Sequence, residues 1–156
     1  MKPDHLNSSA EWDAPFFKVL AKNDTGAGKG HQAGVLIPKA LRPYFPVLNG
    51  STSSSNPTID QRVKAALYDG ERFLSVVDTR YQYQSWHDTR SHEARLTDQL
   101  GPIHKIAQAG DVLVMQKSNR DPDHFKLTLV KKTSTGFHTL RPIIGRRRWG
   151  PLNIER

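Results

Sequence analysis

Two polar segments contain most of the residues whose types could contact another molecule. The first is a loop from Asn23 to Gln32, which has three glycines in ten positions. Glycine adopts backbone angles that other residues avoid, so N–H groups of this loop could approach the phosphates of a nucleic acid. The candidate contact residues in and beside this loop are Lys22, Asn23, Asp24, Thr25, Gly26, Lys29, His31 and Gln32.

The second segment, Arg80 to Arg95, is rich in groups that can read base edges. Arginine hydrogen-bonds to O6 and N7 of guanine, glutamine to adenine, and glutamate accepts from the amino group of cytosine. Glu93 and Arg95 would share one strand face and could read a G·C pair together. The alternative is an ordinary surface ion pair, which contributes only about 0–1 kcal/mol. The candidate contacts are Arg80, Gln82, Trp86, His87, Arg90, His92, Glu93 and Arg95.

Patterns for catalysis are incomplete in this sequence. A metal-dependent nuclease needs Pro-Asp followed by Asp/Glu-x-Lys, and only Pro122-Asp123 is present. A P-loop needs glycine at Asn23 and serine or threonine at Gly30. The seven histidines are scattered, and without cysteine a structural zinc site is not expected. We therefore expect no metal, no cofactor and no cleavage activity from this chain alone.

One alternative enzymatic interpretation rests on Asp24-Thr25-Gly26-Ala27. This tetrapeptide resembles the active site of retroviral-type aspartic proteases, and the sequence from Ile143 to Arg146 (IIGR) resembles a second element of that family. Such enzymes use two aspartates that share a proton. Lys22 and Asn23 stand where the family has apolar strand residues, so this interpretation is the second hypothesis.

The composition favours a polyanionic partner. Lysine and arginine total 23 against 15 acidic residues, which gives a formal net charge of +8. This balance is typical of nucleic-acid-binding proteins, and a nonspecific basic domain is the third hypothesis. The absence of cysteine fits a reducing cytoplasmic compartment, and no apolar run is long enough to span a membrane.

Many short strands separated by turns predict a mainly β fold. Strand candidates include 62–68, 72–78, 80–85 and 125–130, and Asp69-Gly70 is a strong hairpin signal. A short helix is predicted near 102–108. Residues 1–14 are expected to form an N-terminal tail, and residues 141–156 a basic linker or tail.

Three collinear tracts resemble a known family. Residues 21–34 (AKNDTGAGKGHQAG), followed by Leu36-Ile37-Pro38, are similar to the N-terminal effector domain of EcoRII-type restriction endonucleases. Residues 89–97 (TRSHEARLT) resemble that family's T-R-N-E-x-R-I-T segment, with one extra residue here. Residues 109–114 (AGDVLV) and 125–127 (FKL) resemble the related plant transcription-factor DNA-binding domains.

The resemblance implies a DNA-binding pseudobarrel of about seven strands with two short helices, over residues 15–140. Two arms would grip the major groove of double-stranded DNA: the first arm, Asn23–Gln32, and the second arm, about Trp86–Arg95. The expected target is CCWGG, where W is A or T. A catalytic nuclease domain, which would use magnesium, is the expected partner beyond the linker. Lys29 and the extra residue near Ser91-His92 depart from the family pattern and leave the base assignments open.

Overall fold

The computed structural model describes residues 12–25, 34–85 and 92–152. Within them the strands are β1 (Phe16–Val19), β2 (Val35–Ile37), β3 (Thr58–Asp69), β4 (Arg72–Gln84), β5 (Glu93–Thr97), β6 (Val112–Lys117), β7 (His124–Val130) and β8 (Trp149–Pro151). The helices are two 3-10 helices, Lys22–Asp24 and Lys39–Tyr44, and two α-helices, α1 (Gly101–His104) and α2 (Thr135–Ile144).

A long hairpin forms the centre of the sheet. β3 and β4 pair along their whole lengths, and the turn at Gly70 has a positive φ of 60°. This confirms the Asp69-Gly70 turn predicted from the sequence. The two strands predicted at 72–78 and 80–85 are one continuous strand in the structure. Thr79 continues the pairing because it lies opposite Val63 and is fully buried.

The eight strands form one sheet in the order β2-β5-β4-β3-β7-β6-β1-β8. All neighbours are antiparallel except β3 and β7. The sheet curls, so that β1, near one end of this order, approaches β2 at the other end. Side chains bridge that seam: Lys18 on β1 donates from Nζ to the carbonyl oxygen of Leu36 on β2, at 2.6 Å.

The interior of the curl is an apolar core. Alternate residues of the strands point inward, and Phe45 from the segment after the second 3-10 helix stacks on Tyr81 and Phe125. Phe16 of β1 packs face to face on Tyr44 with ring centroids 4.0 Å apart. These contacts fix the outer strands onto the central hairpin.

A second apolar cluster lies under α2, on the other face of the sheet. Phe17 of β1 packs there with Leu140 and Ile144 of the helix. The Ser134 hydroxyl caps the helix by accepting from the N–H of Phe137 at 3.3 Å. Residues 141–152, expected to be part of a linker, here complete α2 and form β8, which pairs with β1.

The mainly β pseudobarrel expected from the sequence is thus confirmed, with eight described strands instead of about seven. β8 is the additional strand. The proposed N-terminal tail, 1–14, is described only from Trp12, which is buried and forms a bridge with Ser118.

Gly34, which follows the first arm, lies in close contact with β5. Its φ is 98°, and a Cβ there would lie 1.9 Å from the carbonyl oxygen of Leu96. We expect Gly34→Ala to lower the free energy of unfolding by about 3 kcal/mol or more, because backbone strain and a clash with β5 combine.

The matched control is Gly70→Ala. Gly70 also has a positive φ, but no atom lies within 4 Å of its hypothetical Cβ. Only the conformational cost of about 1–2 kcal/mol should then appear in urea unfolding. Equal destabilisation by the two variants would contradict the proposed close packing at Gly34.

Candidate nucleic-acid interface

Four of the predicted contact residues lie together on one face of the sheet. Gln82 of β4 is directly opposite Arg95 of β5, and Gln84 is opposite Glu93. Arg80 continues the same face, opposite Thr97. Because side chains alternate along a strand, Tyr81, Tyr83 and Ala94 point to the opposite, apolar side. We call the surface formed by Arg80, Gln82, Glu93 and Arg95 the polar face.

Glu93 and Arg95 form a tight ion pair on the polar face. The Nη2 and Nε atoms of Arg95 donate to the same carboxylate oxygen of Glu93, at 2.7 and 3.2 Å. The Arg95 side chain is only 9% exposed, whereas that of Glu93 is 28% exposed. In this structure the arginine therefore orients the more accessible carboxylate.

Surface ion pairs flank this pair. Arg80 lies 3.4 Å from Asp60, and Arg62 lies 2.6 Å from Asp98. The hydrogen bond from the Arg62 guanidinium is the main cause that holds the pKa of Asp98 below its usual value. These side chains are largely exposed, so solvent weakens their ion pairs and each side chain can exchange its partner.

The base of the second arm is fixed by a small hydrogen-bond network. His92, the first described residue after the arm tip, has Nδ1 2.6 Å from the Tyr83 hydroxyl and Nε2 3.2 Å from the Ser85 hydroxyl. Arg42 donates to the carbonyl oxygen of His92 at 3.1 Å, and its guanidinium lies over the Tyr83 ring. His92 thus joins both ends of the second arm to the 3-10 helix that contains Arg42.

At the start of the first arm, Lys22 and Asn23 are exposed, whereas Asp24 and Thr25 are buried. The carboxylate of Asp24 accepts from the N–H of Ala21 at 2.8 Å and from the N–H of Leu36 at 3.0 Å. In this structure the Asp24 side chain holds the loop to the barrel.

Lys18 completes this arrangement. Its Nζ lies 2.7 Å from Oδ2 of Asp24, with both side chains almost fully buried. Burial lowers the pKa of Lys18, and the nearby carboxylate of Asp24 opposes that shift. A carboxylate buried against lysine cannot act as the water-activating member of an aspartate dyad, so the geometry does not support the aspartic-protease hypothesis.

Sequence reasoning missed Lys18 and Arg42. Lys18 stands alone in the apolar run Phe16-Phe17-Lys18-Val19-Leu20. A lone charge in a buried strand requires a partner, and that signal could have identified Lys18. Arg42 has no comparable signal, because its contact with His92 joins residues 50 positions apart.

The remaining predicted contacts lie outside the described residues. They are Gly26, Lys29, His31, Gln32, Trp86, His87 and Arg90. Across 12–25, 34–85 and 92–152, no three His, Asp or Glu side chains are grouped to hold a metal. None of the helices in the same ranges has the length and apolarity to cross a bilayer.

Asp24→Ala should lower the free energy of unfolding by about 3–5 kcal/mol, because it leaves the Lys18 charge buried without a partner. Denaturant titration of wild type and variant measures this difference. The control is Asp60→Ala, which removes an exposed pair and should cost only about 0–1 kcal/mol. A loss for Asp24→Ala as small as that of the control would show that the pair does not hold the seam.

Comparisons with known proteins agree with this geometry. The fold is similar to the crystal structure of the UbaLAI restriction endonuclease B3 domain, a mutant form with its cognate DNA. The TM-score is 0.57 at 17% identity, covering 88% of this chain and 82% of that chain. No curated protein matches the sequence. Residues 8–128 match the family described as restriction endonuclease EcoRII, N-terminal. Because that match spans most of the sequence, the chain belongs to the EcoRII N-terminal domain family of restriction endonucleases.

Proposed function

We propose that this chain is a sequence-specific double-stranded DNA-binding domain that serves as the target-recognition or effector part of a restriction endonuclease. The family match over residues 8–128 carries the proposal, because it includes both arms and the polar face. The similar UbaLAI domain is described with its cognate DNA. By the same reasoning we assign the domain an intracellular location and a nuclease domain as its partner.

The two arms divide the work of recognition in this proposal. Lys22, Lys29 and backbone N–H groups of the first arm contact phosphates and set the register. His31 and Gln32 of the first arm, with Arg90 and Glu93 of the second, contact base edges. Phosphate contacts position a protein on DNA, whereas contacts with base edges provide specificity.

Arg95 acts through Glu93 in this scheme. Its guanidinium is nearly buried, and its Nε and Nη2 atoms donate to one oxygen of Glu93. A carboxylate held in this way can accept from the amino group of cytosine in the major groove. The expected CCWGG target has two G·C pairs on each side of its centre. A glutamate in a fixed position could therefore accept a hydrogen bond from one of these cytosines.

The domain itself needs no cofactor for this role. Recognition by hydrogen bonds to base edges and phosphates requires no metal. Any magnesium requirement belongs to cleavage by the partner nuclease domain, where cations stabilise the displacement at phosphorus.

A competition gel-shift at near-physiological salt tests the proposed function. A labelled CCWGG duplex is competed either with unlabelled CCWGG duplex or with a scrambled duplex of equal length. The scrambled competitor should be at least about a hundredfold less effective, since specific binding exceeds nonspecific binding by several orders of magnitude. Equal competition would contradict sequence-specific recognition and favour the nonspecific basic domain. Titration with further duplexes then defines the recognised sequence.

A double-mutant cycle tests the roles of Glu93 and Arg95. Each of Glu93→Gln and Arg95→Ala should weaken binding to the cognate duplex by about 1–3 kcal/mol and relax specificity at one base pair. The double variant should lose little more than the weaker-binding single variant, because the two side chains act as one unit. Fluorescence anisotropy on duplexes with single base-pair changes measures both effects.

Glu71→Gln is the matched control, since it removes an exposed carboxylate at the turn between β3 and β4, away from the polar face. Unfolding curves of every variant separate loss of binding from loss of structure, which is necessary because Arg95 is buried. Equal losses on cognate and random duplexes would remove the Glu93–Arg95 pair from base recognition.

A further inference from the structure

A cavity of about 260 Å³ opens between the end of β1, the start of β6 and the C-terminal end of α2. Its floor is apolar, with Val19, Val112 and Phe137, and four arginines stand around it. We call it the arginine pocket; its arginines are Arg141, Arg146, Arg147 and Arg148. One water molecule occupies about 30 Å³ in the liquid, so the pocket has room for an anion with part of its hydration shell.

Arg147 has a structural role within this group. It donates to the carbonyl oxygens of Ile143 and Ile144 at 3.3 Å and to that of Pro151 at 2.9 Å. Its guanidinium also lies 5.1 Å from the centre of the Phe17 ring. By binding the last carbonyls of α2, Arg147 offsets the partial negative charge of that helix end. The helix end therefore does not repel an anion in the pocket.

Arg141, Arg146 and Arg148 are exposed and have no ion pair within the described residues. The sequence has no acidic residue between Asp123 and Glu155. Asp111, beside the pocket residues Gly110 and Val112, is fully buried and lies 2.7 Å from the Lys131 ammonium. The pocket is thus strongly positive, and the carboxylate of the adjacent Asp111 is already neutralised by Lys131.

The pocket lies beside the root of the first arm. The N–H of Val19 donates to the carbonyl oxygen of Arg148 at 2.7 Å. Lys22, where the 3-10 helix leading into the arm begins, follows Val19 by three residues. The four arginines lie beyond residue 128, where the family match ends. The charge is therefore an addition to the matched segment, at a place adjacent to its expected DNA contacts.

We propose that the arginine pocket binds a backbone phosphate of DNA that flanks the recognised sequence. Guanidinium groups form paired, charge-assisted hydrogen bonds with phosphate oxygens, and arginine is the preferred residue for such contacts. The contact is independent of base sequence, so it adds affinity without changing specificity. The inference rests on the proposed DNA-binding function and extends the contact surface beyond the two arms.

The test compares Arg146→Gln/Arg148→Gln with Arg72→Gln/Lys105→Gln. Both double variants remove two exposed positive charges, but Arg72 is the first residue of β4 and Lys105 directly follows α1. Affinity is measured by fluorescence anisotropy over a range of salt concentrations. The probes are a CCWGG duplex with long flanks, a random duplex of equal length, and a CCWGG duplex trimmed to the recognised site.

The pocket variant, Arg146→Gln/Arg148→Gln, should bind both long duplexes roughly tenfold more weakly at low salt. The slope of log affinity against log salt concentration should become shallower by about one unit. The ratio of cognate to random affinity should stay unchanged, and binding to the trimmed duplex should resemble that of the control variant.

The outcomes separate this inference from the proposed function. If the pocket variant matches the control on the long duplexes while the wild type still discriminates between them, the pocket does not contact DNA, and the inference alone is overturned. If the wild type does not discriminate but the pocket variant loses salt slope, the phosphate contact is supported and sequence-specific recognition is wrong. Absence of any duplex binding by the wild type would overturn both.

Discussion

The buried contact of Lys18 and Asp24 with the backbone of Leu36 is the constraint on which the rest of the structure depends. β1 and β2 are not neighbours in the sheet, yet Lys18 satisfies the carbonyl of Leu36 and Asp24 satisfies its N–H. An open strand edge normally invites another strand or remains hydrated. Here the Lys18–Asp24 salt bridge takes the place of that strand at Leu36, so β1 and β2 are held together across the seam and the chain entering the first arm starts from a fixed point.

The second arm is held by a different kind of interaction. His92 hydrogen-bonds to Tyr83 and Ser85 on the opposite side of the arm. Arg95 forms an ion pair with Glu93 and holds its carboxylate in place. Recognition requires side chains to be placed precisely, and strands position them better than free loops do. The described start of each arm lies on or beside a strand, so the sheet fixes the positions from which the arms extend.

The parts of the fold that follow local rules were predictable from the sequence. The Asp69-Gly70 turn and the alternation in Phe125–Val130 identified the hairpin and β7 directly. The seam was not predictable, because it joins Lys18 to a backbone group 18 residues away and leaves no periodic signal. In the candidate site, Glu93 beside Arg95 suggested a pair, but only the structure shows which member is buried. α2 was missed because Pro142 and the basic run indicate a linker, whereas burial of Leu140 and Ile144 stabilises a helix.

The net charge of +8 does not by itself describe what a nucleic acid would encounter. Lys18, Arg95 and Lys131 are paired with carboxylates inside or at the edge of the core. Such pairs fix geometry but contribute little field outside the protein, since each is close to neutral. Exposed cations that have no ion pair among the described residues include Lys22 and, in the arginine pocket, Arg141, Arg146 and Arg148. Affinity for a polyanion should therefore follow the placement of these exposed groups, and the buried pairs determine where the arms that carry specificity are held.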